Sequence, residues 1–202
     1  MDFETYFNSV HGQKPFPWQS EATKRLLAGG APTSISLPTA SGKTAMIDAA
    51  VFWAANGGPR RIAFIIDRRV VVDEAYSRAL RISKTLSEGK LPELSERLGP
   101  VQVVRLRGGV HGDDDWVLYP ERVTILLSTV DQVGSRLLHR GYGVSPRMTP
   151  LHAGFLGNNA LYIVDEAHIS VPFIETVKAT VNNGAVVRLI TMSAMLPGAK
   201  SI

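Results

Sequence analysis

Hydrophobic positions along the chain gather into six short, nearly unbroken runs, at residues 35–37, 61–66, 101–106, 123–127, 160–164 and 186–192. Strands covered on both faces read this way, because neither face has to present polar groups to water. Between the runs, apolar residues recur at helical spacing. Such stretches cover residues 20–27, the residues from the Gly42 region to about Ala55, residues 71–86, a segment opening at residues 128–132, and residues 172–181. Gly29-Gly30 and Asn56-Gly57-Gly58-Pro59 punctuate the first two. The segment 136–147, with Arg136, His139, Arg140, Tyr142 and Arg147 among two glycines, reads as a loop or hairpin of modest positive charge. Strands alternating with helices predict an α/β fold, a mostly parallel sheet with helices on both faces. Neither repeats nor a linker interrupts it, so residues 1–202 read as one domain.

Composition narrows the class. At 45% hydrophobic and 20% charged residues, 202 residues describe an ordinary globular chain, one that buries roughly 70% of its unfolded surface. Without cysteine there are neither disulfides nor thiolate metal sites. The acidic start Met1-Asp2-Phe3-Glu4 is unlike a signal peptide, and no apolar run reaches the roughly 20 residues that span a bilayer. Together these fit a cytoplasmic protein with no membrane contact. A net charge of +4 permits a polyanionic partner without demanding one.

Chemistry concentrates at the carboxyl ends of the runs, where open α/β sheets bind ligands. Leu37-Pro38-Thr39-Ala40-Ser41-Gly42-Lys43-Thr44 joins the first run to a helix and ends as phosphate-binding loops do. Orphan N–H groups and the helix dipole suit such a junction to a triphosphate. Thr39, Ala40, Ser41 and Gly42 would approach the phosphates, Lys43 would reach their oxygens, and Thr44 would hold Mg²⁺. Leu37 stands where the full motif has glycine, so a capped helix without a ligand is the plain alternative. Asp165-Glu166-Ala167-His168 directly follows the fifth run. A carboxylate there suits the second ligand of the metal, Asp165, with Glu166 acting on the attacking water.

Other residues read two ways. Gln19, in Phe16-Pro17-Trp18-Gln19, could pair with the N6/N7 edge of adenine or be an exposed helix residue. Arg68 and Arg69, at the end of the second run, suit phosphate or a solvated helix start. Ser128, Thr129 and Asp131 are all good helix caps. Asp113-Asp114-Asp115 lacks coordination spacing and reads as solvated.

Taken in order, Gln19, the Thr39–Thr44 loop, Asp165-Glu166-Ala167-His168 and Ser193-Ala194-Met195 resemble the first RecA-like domain of superfamily 2 DEAD/DEAH-type helicases, over essentially the whole chain. In that superfamily the glycine at the Leu37 position is commonly absent. Three strings narrow the likeness: the Leu37–Thr44 loop, Asp67-Arg68-Arg69-Val70-Val71-Val72-Asp73-Glu74, and Thr129-Val130-Asp131-Gln132-Val133-Gly134-Ser135-Arg136-Leu137-Leu138. They look like the type I-U (I-G) branch of the CRISPR helicase–nuclease, in which the helicase module precedes the nuclease.

The resemblance implies ATP and Mg²⁺ as cofactors. It implies as partners the single-stranded DNA of an R-loop, an RNA-guided surveillance complex, and the second RecA-like and nuclease domains of a longer chain. By the same resemblance Gln19 reads adenine, Lys43, Asp165 and Glu166 run hydrolysis, and His168 and Ser193 couple nucleotide state to the motor. Arg68, Arg69, Gly108, Gly109, Thr129, Asp131 and Gln132 lie where the superfamily touches the strand.

Ala40 departs from a common loop glycine, and Met195 from the usual threonine of the third motif. No histidine here is followed by aspartate, so the family's nuclease pair is missing. Nor does the sequence continue into a second RecA-like domain, the source of the arginine finger. The expectation is therefore half a motor, holding ATP·Mg²⁺ and hydrolysing it slowly. Two rivals remain. A small phosphate-loop kinase or GTPase is one, although no Asn-Lys pair stands ready for guanine. A single-strand binding module with a relict loop is the other.

Overall fold

The computed structural model describes residues 1–30, 34–38, 40–66, 69–106 and 114–194, with only the backbone of 69–71 and 114–115. Helices α1 (Phe3–His11) and α2 (Pro17–Leu27) lead into strand β1 (Ser34–Leu37), a 3-10 turn (Lys43–Ala45), α3 (Met46–Ala54) and β2 (Arg61–Ile65). Then come α4 (Arg69–Ser87), α5 (Pro92–Leu98), β3 (Val101–Leu106), β4 (Val123–Ser128), α6 (Val130–Leu137) and α7 (Thr149–Gly157). Strand β5 (Asn158–Val164), a 3-10 turn (Ala167–Ile169), α8 (Val171–Asn182) and β6 (Val186–Ala194) complete the order.

All six apolar runs are strands. They form one sheet in the order β1-β6-β5-β2-β4-β3, parallel at every pairing. Parallel neighbours need crossovers, and helices supply them on both faces. Successive residues of β2 show the double cover. Ile62 and Phe64 join a core with Phe3, Phe52 and Ile82, while Ala63 and Ile65 join another with Val133, Phe155 and Phe173. Since every strand runs the same way, all six carboxyl ends emerge along one edge.

Several helices depart from the expectation. The chain after Gly42 makes a 3-10 turn before α3 begins at Met46. Helix α6 runs to Leu137, so the expected 136–147 loop starts later. Neither the Thr129 nor the Ser128 hydroxyl caps α6; Ser128 Oγ instead donates to the Thr129 carbonyl at 3.0 Å. Helices α1, α5 and α7 were not foreseen.

Helix α1 packs Phe3, Tyr6, Phe7 and Val10 into the first core. At its end, buried His11 donates through Nε2 to Asp48 Oδ1 of α3 at 2.6 Å, and Arg78 of α4 donates to Oδ2 at 2.5 Å. Asp48 is wholly buried, so these partners replace its lost hydration. The Arg78 guanidinium also lies 5.3 Å from the Phe7 ring centre. One carboxylate thus ties three helices together.

Removing a partner strands a buried charge. We expect His11→Ala to lose about 1–3 kcal/mol of stability and Asp48→Ala about 3–5 kcal/mol, read as urea unfolding midpoints. A wild-type midpoint in either variant would mean the triad holds nothing.

Candidate functional site

The site grows from two strand ends. Strands β1 and β5 are not neighbours, since β6 lies between them; Thr191 of β6 stands opposite both Ser34 and Val164. The segments leaving those strands nevertheless converge. Buried Lys43 places Nζ 3.2 Å from Glu166 Oε1 and 3.8 Å from Asp165 Oδ1. The ammonium meets the Glu166 carboxylate 123 residues away.

Local conformation aims each group. Asp165 extends β5 by one more bond, its N–H donating to the Ile65 carbonyl at 2.9 Å. Glu166 then turns into the left-handed region at φ +48°, and its N–H donates to Asp165 Oδ1 at 3.0 Å. Left-handed backbone costs a non-glycine residue about 1–2 kcal/mol, and strain of this kind gathers at functional sites. His168 is 61% exposed, with Nδ1 3.6 Å from Glu166 Oε2. Ser193 stands opposite Ser36 on β1, so it lies between the two converging segments. Thr44 follows Lys43 within the 3-10 turn.

Helix α2 grips the loop from outside. Trp18 Nε1 donates to the Ser41 carbonyl at 2.9 Å, and Gln19 Nε2 donates to the Gly42 carbonyl at 3.2 Å. Gln19 Oε1 accepts the Phe16 N–H at 2.9 Å. Gln19 is 2% exposed, which corrects the alternative of an exposed helix residue. Both ends of its amide are occupied within the protein. Gly42 adopts φ +73°, and a Cβ there would meet Gln19 Nε2 at 3.1 Å and Phe16 at 3.2 Å. The backbone angle favours glycine, and a Cβ would also crowd the Gln19 and Phe16 side chains. Ala40 adopts φ +59° without that freedom. The Ser41 hydroxyl donates to the Pro38 carbonyl at 2.7 Å, closing the turn internally.

Electrostatics favour a cation. Burial pushes the Asp165 carboxyl above its ordinary range, while Lys43 and the Glu166 N–H pull the other way. One ammonium between two carboxylates leaves a net negative charge, so the cluster can accept a divalent ion. Mg²⁺ is typically held by one or two carboxylates plus phosphate rather than by a protein cage. Among the described residues no group of three or more histidine, aspartate or glutamate side chains that could hold a metal occurs.

The other expected residues divide. Thr39, Arg68, Gly108, Gly109 and Met195 lie outside the described residues, as does Asp113. Arg69 opens α4, its side chain not described. Thr129 and Asp131 sit at the start of α6, beyond the β4 end, and Asp131 is exposed. Gln132 is turned inward, its Oε1 accepting from Arg136 Nη1 at 2.7 Å. Trp18 and Phe16 were missed as site residues, though they adjoin Gln19 in the sequence. Among the described residues no helix is long and apolar enough to cross a membrane.

A family model described as type III restriction enzyme, res subunit, matches residues 13–197. No curated protein matches the chain. Among solved structures, a DEAD box protein from the hyperthermophile Methanococcus jannaschii matches with TM-score 0.55 at 16% identity, over 96% of this chain and 47% of that one. A hypothetical ATP-dependent RNA helicase from Sulfolobus tokodaii matches with TM-score 0.55 at 18% identity, over 96% and 49%. The DUF1998 helicase MrfA bound to DNA and AMPPNP matches with TM-score 0.63 at 14% identity, over 97% and 26%. The fold is that of RecA-like helicase domains, and the chain spans between a quarter and a half of those solved chains.

Two stability measurements probe this geometry. Ala40→Gly relieves the left-handed strain and should add about 1 kcal/mol in urea unfolding; destabilisation would show that the turn tolerates alanine freely. For Asp165, a raised pKa means the folded state binds the proton more tightly than the unfolded state does. Its ionised form therefore opposes folding near neutrality, and that opposition fades as pH falls through the folded pKa. Asp165→Asn should be more stable than wild type near neutral pH, with the gap closing toward pH 4, near the ordinary carboxylate value. A gap constant with pH would exclude this role for burial.

Proposed function

The chain belongs to the family described as type III restriction enzyme, res subunit, and from that premise we propose that it is the ATP-binding half of an ATP-dependent superfamily 2 helicase or translocase. The observation that carries the reading is Lys43 Nζ at 3.2 Å from Glu166 and 3.8 Å from Asp165.

The residues fit ATP·Mg²⁺. Thr44 and Asp165 would hold the metal, and Lys43 with the 39–44 loop would hold the phosphates. When bound, the metal–triphosphate supplies an electrophilic phosphorus and a charge-stabilised leaving group. Lys43 must then exchange its Glu166 partner for phosphate oxygen. That exchange frees the Glu166 carboxylate to orient a water and accept its proton. Gln19 gives up one of its two internal bonds to read the adenine edge, and Trp18 keeps the loop in place meanwhile. His168, through Glu166, and Ser193, on the strand between the two motifs, are the candidates to transmit nucleotide state.

That the chain spans 47% of a DEAD box protein and 49% of a hypothetical ATP-dependent RNA helicase supports one half of a longer motor, with slow hydrolysis by this half alone. Thr129 and Asp131, near the strand-end edge, support a nucleic-acid track there, and Arg68, Arg69, Gly108 and Gly109 follow the ends of β2 and β3. The finer reading is the helicase module of a type I CRISPR helicase–nuclease acting on R-loop single strands, supported by the Leu37–Thr44, Asp67–Glu74 and Thr129–Leu138 strings. Tighter binding to a surveillance complex holding an R-loop than to free single strand would support it; equal binding would remove it.

The central test is titration with an ATP analogue. We expect Lys43→Ala to weaken binding at least about tenfold, by loss of charge-assisted hydrogen bonds. Gln19→Ala should lower the preference for ATP over GTP. Glu166→Gln should retain binding while hydrolysis falls by roughly 10²–10⁴. Unchanged affinity in Lys43→Ala would hand the site to the relict-loop alternative.

A further inference from the structure

We propose that the loop between α6 and α7 and the groove beneath it form a separate contact for single-stranded nucleic acid, in which Tyr142 stacks on an unpaired base while Arg140 and Arg147 meet its phosphates. The inference rests on the reading of the chain as a motor on nucleic acid, and Tyr142, Arg140 and Arg147 lie outside the strings that carry that reading.

The loop displays what a chain ordinarily hides. Tyr142 is 65% exposed and Leu138 50% exposed, and His139, Arg140 and Arg147 of the same loop are exposed as well. Among the described residues neither Arg140 nor Arg147 has a carboxylate partner, so their charge faces solvent uncompensated.

This display is built. Arg136 is buried, anchored by Nη1 on the Gln132 side-chain oxygen at 2.7 Å and the Gln132 carbonyl at 3.1 Å, and its Nη2 reaches the Tyr142 carbonyl at 3.5 Å. The Arg140 N–H donates to the Ser135 carbonyl at 2.7 Å. His139 takes the left-handed conformation at φ +58°. At Gly141 a Cβ would meet Val144 Cγ2 at 2.7 Å and Arg136 Cγ at 3.0 Å, so only glycine lets the loop fold over the arginine. A buried guanidinium and a left-handed residue thus brace the backbone that carries the exposed Tyr142 side chain.

Beneath the ring lies a groove of about 290 Å³ between α6 and α8, lined by Tyr142, Arg140, Leu138, Asp131, Phe173 and Thr176 among others. Its chemistry selects the part of the ligand that enters. The Asp131 carboxylate repels phosphate but accepts hydrogen bonds from base amino groups, and Leu138 and Phe173 offer apolar area to a ring. A base therefore enters, and the backbone stays on the cationic rim. A duplex keeps its base faces stacked, so the ligand is single-stranded; ring stacking with a cationic track is how sequence-tolerant strand binding works. Both helices lead down from strand ends, α6 from β4 and α8 from the β5 end that carries Asp165 and Glu166, so the groove flanks the edge where nucleotide is read.

The test is fluorescence anisotropy of end-labelled oligo(dT) with the whole chain, alongside ATP-analogue binding by the same samples. Tyr142→Ala should weaken oligonucleotide affinity about tenfold, with Tyr142→Phe close to wild type. Arg140→Ala with Arg147→Ala should make the log-affinity against log-salt slope shallower by about 1.4. Unaltered ATP-analogue binding in each variant shows an intact nucleotide pocket. Oligonucleotide affinity unchanged in Tyr142→Ala overturns the proposal, as does Tyr142→Phe failing like alanine, or no strand binding by wild type. If Tyr142→Ala instead changes only self-association, the patch is a protein contact and the proposal is also overturned. Strand binding that depends on Tyr142 in a chain that binds no nucleotide would sustain this contact while ending the motor reading.

Discussion

A single ammonium organises this structure. Lys43 Nζ lies between the carboxylates of Asp165 and Glu166, so the loop after β1 and the end of β5 are held face to face across the intervening β6. Buried at that point, the ammonium and the Asp165 carboxylate each need the other, because neither keeps its full hydration. The arrangement is a placeholder in the physical sense. It holds the loop and the strand end at hydrogen-bonding distance, and one ammonium against two carboxylates leaves one excess negative charge.

Around that pair, rigidity is distributed unevenly. Helix α2 fixes the loop by its carbonyls, through Trp18 and Gln19. Helix α3, which follows the loop directly, is fixed at its other side by Asp48 in the His11 and Arg78 triad. The loop is thus suspended between two braced helices. With the Ser41 and Gly42 carbonyls engaged from outside, the loop is preorganised by its surroundings.

The sheet was legible because its strands are covered on both faces, and β4, buried at all six positions, needs no alternation to be recognised. The Lys43 and Asp165-Glu166 segments were legible because their chemistry demands particular residues in short strings. Helix α1 is also written plainly, with Phe3, Tyr6, Phe7 and Val10 at helical spacing after an Asp2 cap that accepts the Thr5 N–H at 2.7 Å. Helix α7 was not so written: Pro150 opens it, Gly154 lies inside it and Gly157 ends it, and loops use such residues as readily. Partnerships resisted sequence reading altogether. Nothing near Gln19 announces that Gly42 will occupy its amide, and nothing near His11 announces Asp48, since the fold alone brings them together.

That last partnership has a practical bearing on where the domain ends. The matched family region begins at residue 13, beyond α1 and His11. An expression clone trimmed to those boundaries would delete the lid over Phe52 and leave the Asp48 carboxylate, wholly enclosed in the intact chain, with Arg78 alone. Homology would describe such a piece as complete, yet its first act in solution would be to hide a bare greasy flank against its neighbours.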